Sequence, residues 1–84
     1  MDKTIDSLAS SKNKVAGVKQ TKNAIISRQA LMVYVAYDAD EALTGQITAL
    51  CEENGTELVS DFSRKELARA CRIEVPCAAA AVIK

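Results

Sequence analysis

The chain has no histidine and no tryptophan, a single proline and three glycines. Its aromatic side chains are only Tyr34, Tyr37 and Phe62. Without histidine, the usual general base and the most frequent metal ligand are both missing. Cys51, Cys71 and Cys77 are odd in number and show no CxxC spacing, so no metal site and no cofactor is expected. Scarce aromatics exclude a broad platform for stacking bases and require an aliphatic, alanine-rich core. No apolar run approaches the roughly 18 residues of a membrane-spanning helix, so no membrane partner is expected. The N-terminus Met1-Asp2-Lys3-Thr4-Ile5-Asp6 lacks the apolar centre of a signal peptide. Three thiols without an export signal point to a reducing, cytoplasmic compartment.

What is present is an 84-residue chain, 49% apolar, which fits one small globular domain and, by expectation, a monomer. The formal net charge is zero, but the charges are segregated. Residues 1–30 carry six Lys/Arg against two Asp/Glu, residues 31–62 carry seven Asp/Glu and no base, and residues 63–84 carry five Lys/Arg against two Asp/Glu. If both ends fold onto one pole, that pole is basic and steers an anionic ligand to one face.

Apolar spacing gives a coarse reading of the elements. Ile5, Leu8 and Ala9 predict a short helix over residues 3–11, with Asp2 as its cap. Lys14-Val15-Ala16 reads as a very short strand. Thr21, Ala24, Ile25 and Arg28 share a helical stripe from Val18 to about Arg28. The uninterrupted apolar run Leu31–Tyr37 predicts a strand covered on both faces. Asp38-Ala39-Asp40 ends it and caps a helix carrying Leu43, Ile47, Leu50 and Cys51, which Asn54-Gly55 stops. Thr56–Ser60 reads as a strand. Ser63 and Glu66 form a capping box, with Phe62 and Leu67 as its hydrophobic staple, opening a helix through Ala70 and Cys71. Pro76 holds Val75 extended, and Ala79–Ile83 reads as a final buried strand. Alternation of strand and helix implies an α/β fold, a three-layer α/β/α sandwich around a small mixed sheet of about four strands.

Two stretches carry more than structure. In Gly17-Val18-Lys19-Gln20-Thr21-Lys22-Asn23 a glycine turn opens a helix. The free N–H groups and positive dipole end of such a helix suit phosphate. Lys19 and Lys22 add charge, and Gln20 and Asn23 add amides able to read a base edge. In Ala70-Cys71-Arg72-Ile73-Glu74-Val75-Pro76-Cys77, the bulky Ile73 and Val75 sit in a connection, where burial is limited. Catalysis finds little support: Asp38 and Asp40 stand where helix caps stand. Cys71 lies at a helix end, where nothing lowers a thiol pKa and a packing role suffices.

Taken together, and with Asp38-Ala39-Asp40 and Leu50-Cys51-Glu52-Glu53 in register between them, these stretches resemble the L7Ae superfamily of kink-turn RNA-binding ribosomal proteins. The likeness is strongest with its short bacterial members, from about Lys14 to the C-terminus. The resemblance implies a non-enzymatic protein gripping a kink-turn, a bent duplex with tandem sheared G·A pairs and a flipped-out nucleotide, in ribosomal or other structured RNA. It places Lys19 and Gln20 at the sheared guanines, Gly17 and Val18 beneath the phosphates, and Ile73-Glu74-Val75 over the flipped-out nucleotide. Two positions depart from the family pattern. Many relatives carry lysine where Asn23 stands, after Lys22 here, and the usual glycine before Ile73 is Arg72. Glycine there permits positive φ, so Arg72 implies a different loop or a tolerated strain that its charge repays in RNA contact. The alternative, from another class, is a protein–protein adaptor of this fold working through its acidic face between Asp38 and Asp61.

Overall fold

The computed structural model describes the backbone of residues 5–84 and the side chains from Leu8 onward. The expected cap Asp2 therefore lies outside the described residues. The elements run α1 (Ile5–Ser10), β1 (Lys14–Ala16), α2 (Val18–Ile26), β2 (Ala30–Ala36), α3 (Glu41–Asn54), β3 (Glu57–Phe62), α4 (Arg64–Cys71) and β4 (Ala79–Ile83).

The four strands form one mixed sheet in the order β1-β4-β2-β3. β4 pairs antiparallel with β1 and with β2, while β2 and β3 run parallel. The alternation of side chains along β2 sorts them between two cores. Met32, Tyr34 and Ala36 join Leu8, Val59, Leu67 and Ala70 beneath α1 and α4. Val33 and Val35 join Ile25, Ile47 and Cys51 beneath α2 and α3. The continuous apolar run is thus buried on both faces, as its composition requires, and the three-layer α/β/α architecture follows. β4 divides in the same way, with Ala80 and Val82 on the first side and Ala79 and Ala81 on the second. An alanine run that would favour a helix alone is held as a strand by a ladder on each side.

Several boundaries shift from the expected ones. β2 begins and ends one residue earlier than Leu31–Tyr37, which leaves Leu31 and Tyr37 exposed at its two ends. β3 runs on to Phe62, whose ring packs 6.3 Å from that of Tyr34. α2 stops at Ile26 rather than near Arg28. The Ser27 hydroxyl donates to Asn23 O at 2.8 Å, and Gln29 N–H reaches back to Ala24 O at 2.9 Å. That last bond closes the helix through Arg28 in the left-handed region, φ 61°. Arg28 is therefore exposed and leaves the buried stripe of Thr21, Ala24 and Ile25.

The local caps match their signals. Asp40 accepts Ala42 N–H at 2.9 Å, Gly55 closes α3 at φ 65°, and Ser63 and Glu66 complete both halves of the capping box. Asp38 does something the sequence did not suggest. Its carboxylate accepts the backbone N–H of Arg64 at 2.9 Å and lies 3.7 Å from the same residue's Nε. The two aspartates thus cap two different helices, Asp40 at α3 and Asp38 at α4.

Candidate functional site

Gly17 precedes α2 at φ 105° and ψ 153°, a conformation that glycine reaches freely and a residue with a Cβ only under strain. Among the described residues no side chain caps α2 and none in its first turn is acidic. The positive end of its dipole therefore meets no countercharge from the chain there. Lys19 and Gln20 are exposed in that first turn, and Val18 is half-buried. The Gln20 amide folds back over the turn: a Cβ on Gly17 would stand 2.6 Å from Gln20 Oε1.

The second stretch leaves α4 through Arg72, in the left-handed region at φ 59°, ψ 42°. Arg72 N–H donates to Arg69 O at 3.1 Å and Ile73 N–H to Ala68 O at 3.0 Å. This double closure is the one for which glycine is the usual residue. Of the two possibilities raised by a non-glycine residue here, the chain takes the strained one. Arg72, Ile73, Glu74 and Val75 are all exposed, Val75 by 65%.

The two stretches are tied together. Gly17 N–H donates to Ala79 O at 2.8 Å, and Cys77 Sγ donates to the same carbonyl oxygen at 2.8 Å. Cys77 N–H reaches Arg64 O at 3.3 Å, so the far end of the loop is held against the start of α4. Ala36 N–H donates to Ala78 O at 2.9 Å, which joins the end of β2 to the same junction. The turn before α2 and the end of the α4–β4 loop are therefore one hydrogen-bonded unit, although about sixty residues apart in sequence.

Not every expected residue joins it in the same way. Lys22 is half-buried and donates from Nζ to Gln46 Oε1 of α3 at 2.8 Å, so its charge is turned toward α3. Asn23 is exposed beside Gln20 on a groove that Val15 and Ile83 also line. The basic ends do not gather at one pole. Arg28 and Lys84 lie at the opposite end of the sheet, beside Gly55 and Glu57. Conversely Asp38, from the acidic middle, sits at the start of α4, where Arg64 offsets it.

Three residues escaped the sequence reading. Lys65 and Arg69 line a groove with Ile73, Glu74 and Pro76 of the loop. Their i, i+4, i+7 spacing with Arg72 was a readable signal for one basic stripe. Tyr37, 66% exposed, leaves β2 with its N–H bonded to Phe62 O. Read as the last residue of a buried strand, its ring gave no hint of exposure.

The thiols divide sharply. Cys51 is buried and pushed up to about 11 by the loss of solvent around it. Cys71 packs against the core in which Cys77 is buried, and each thiol shifts the ionisation of the other. The neighbouring Cys71 thiol pulls Cys77 downward against the opposing effect of burial, and Cys77 pushes Cys71 upward, with burial adding to it. The Lys14 ammonium stands nearby, bonded to Ala70 O at 3.2 Å and to Ala9 O at 2.9 Å, and acts weakly the other way on Cys71.

A mixed four-stranded sheet between two helix pairs, with a helix-opening glycine turn tied to the loop before its last strand, defines a small α/β/α module. The profile of the ribosomal protein L7Ae/L30e/S12e/Gadd45 family matches residues 1–84, and the chain belongs to that family. It is 41% identical over 68 residues to an RNA-binding protein of Caldanaerobacter subterraneus subsp. tengcongensis, covering 81% of this chain and 83% of that one. With an RNA-binding protein of Bacillus pumilus it shares 37% over 78 residues, 93% and 95% of the two chains. Among solved structures, the Giardia lamblia 15.5kD RNA binding protein superposes with a TM-score of 0.83 at 27% identity, covering 95% of this chain and 68% of that one.

Proposed function

We propose that the chain is a non-catalytic RNA-binding protein, a cytoplasmic monomer in which residues 1–84 act as one domain that grips a kink-turn in ribosomal or other structured RNA. The observation that carries this reading is the shared Ala79 carbonyl, which holds the Gly17 turn and the Cys77 end of the loop in one unit. Its chemistry suits RNA better than a small anion. The uncapped start of α2, with Lys19, positions phosphates, while the Gln20 amide reads a base edge. An ordinary A-form major groove is too narrow for such a helix end, and a kink opens it. Ile73 and Val75 offer exposed apolar surface to an unstacked base, Arg69 and Lys65 of α4 line a groove with Ile73, and Arg72 is exposed at the helix end. The names of the relatives above support an RNA partner.

The test is a titration of the protein with a kink-turn RNA and with the same RNA lacking its sheared G·A pairs. The proposal expects tight binding of the first and only weak, salt-sensitive binding of the second. Equal affinity for the two, or none for either, would refute it, and the latter would turn attention to the acidic face as a protein-docking surface.

A further inference from the structure

The loop Arg72–Pro76 is bracketed by Cys71 and Cys77, and its two bracketing side chains meet. Cys77 lies in the core between α4 and the sheet, Cys71 packs against that core at partial exposure, and the two thiols are close enough to shift each other's ionisation. All three cysteines are free thiols. Cys51 stands apart, in the other core under α3, so it has no part in the pair.

We propose that Cys71 and Cys77 are an oxidative modification site, which a peroxide converts to an intramolecular disulfide across the base of the loop. A thiolate is the attacking species, and the second sulfur, packed in the same core, is at hand to resolve the product. One sulfur of the pair sheds its proton and, as a thiolate, attacks one oxygen of hydrogen peroxide; the O–O bond breaks, and the departing hydroxide takes up the proton that this sulfur shed and leaves as water. The sulfur is then a sulfenic acid. The second sulfur gives up its proton and attacks the first: the S–S bond forms, the S–O bond breaks, and the hydroxyl leaves with that proton as a second water. Two thiols are oxidised by two electrons, and one peroxide is reduced to two waters.

The change is felt in the loop. A disulfide shortens the contact between the sulfurs to about 2.05 Å. Cys77 also loses the proton that it now donates to Ala79 O, the carbonyl that holds Gly17. The base of the loop is thereby drawn shut, and it loses one of the two bonds that converge on Ala79 O while the bond from Gly17 N–H remains. A binding site needs its groups placed to within about 0.5 Å, so the oxidised protein binds RNA less well. That consequence rests on the proposed RNA function, whereas disulfide formation does not.

The experiment treats the full chain with hydrogen peroxide, alkylates the remaining thiols under denaturing conditions and locates them by mass spectrometry. The expected product is a Cys71–Cys77 disulfide with Cys51 alkylated, absent from Cys71→Ser and unchanged in Cys51→Ser. Trypsin cleavage after Arg72 reads the loop without RNA and should slow on oxidation and recover with dithiothreitol. Oxidation that leaves both thiols alkylatable, or that yields mainly Cys51 or intermolecular disulfides, overturns the proposal. Kink-turn RNA affinity should fall by roughly tenfold on oxidation, equivalent to about 1.4 kcal/mol, and Cys71→Ser should not respond. Equal affinity of the oxidised and reduced forms overturns the consequence for the loop. Failure of the reduced protein to bind that RNA refutes the proposed function instead, while the mass and cleavage readouts still decide the disulfide.

Discussion

Gly17 and Gln20 occupy each other's space: the Gln20 amide oxygen lies where it would be 2.6 Å from any Cβ added to Gly17. The glycine therefore has two reasons to be there, its φ of 105° and the seat it leaves for the amide. Gly17→Ala is expected to lose about 1–3 kcal/mol from backbone strain and to push Gln20 out of the turn. A denaturant melt measures the first effect. An RNA titration should show the second as a loss of preference for the kink-turn.

Gln20→Ala separates those effects, because it keeps the glycine turn. A side-chain amide reading a guanine edge contributes roughly 1–3 kcal/mol of discrimination. Preference for the kink-turn over a plain helix should collapse while weak, salt-driven binding and the melting midpoint remain. Intact preference in this variant would remove Gln20 from the interface.

Lys19 and Lys22 should behave differently. Lys19 is exposed at the start of α2, whereas the Lys22 ammonium is held by Gln46 Oε1 at 2.8 Å. If Lys19 contacts a phosphate, Lys19→Ala should reduce the slope of log K against log salt by about one. Lys22→Ala should reduce it by less and loosen the contact between α2 and α3. Equal slopes for the two variants would show that RNA draws Lys22 away from α3.

Arg72→Gly relieves the left-handed strain at φ 59°, although the greater freedom of glycine in the unfolded chain offsets part of the gain. Stability should hold or rise by about 0.4–1 kcal/mol at most, while the salt slope of RNA binding falls by about one. A variant that is both less stable and an equally good binder would contradict the role given to this arginine.

Alkaline pH should destabilise the fold. The Cys51 thiol is raised from 9.0 in the unfolded chain to about 11 in the folded one. Its contribution is therefore intact below pH 9 and is lost as pH rises from there through 11. The loss is at most about 1.4 kcal/mol per pH unit for one group. Cys51→Val removes this ionisation, so its stability should decline less than the parent's over that window. Parallel declines would show that Cys51 is not the group responsible.

The sequence by itself determined the elements and their order. Their signals are local: the spacing of Thr21, Ala24 and Ile25, the unbroken run Met32–Ala36, the Ser63–Glu66 box and the Asn54-Gly55 stop act within a few residues of one another. The layers follow, since a strand apolar on both faces needs helices on both. Tertiary structure alone decided which distant groups meet. Asp38 caps α4 across 26 residues rather than its own neighbour α3, Lys22 turns to Gln46, and Arg28 and Lys84 settle at the far end from the site. The left-handed arginines at 28 and 72 belong here too. A helix can end in that geometry only when its last carbonyls are closed by the residues that follow, and where those residues go is set by the strand that receives them. The pairing of Cys71 with Cys77, and of both stretches through the Ala79 carbonyl, has the same origin: β4 must come between β1 and β2 before any of these atoms are neighbours.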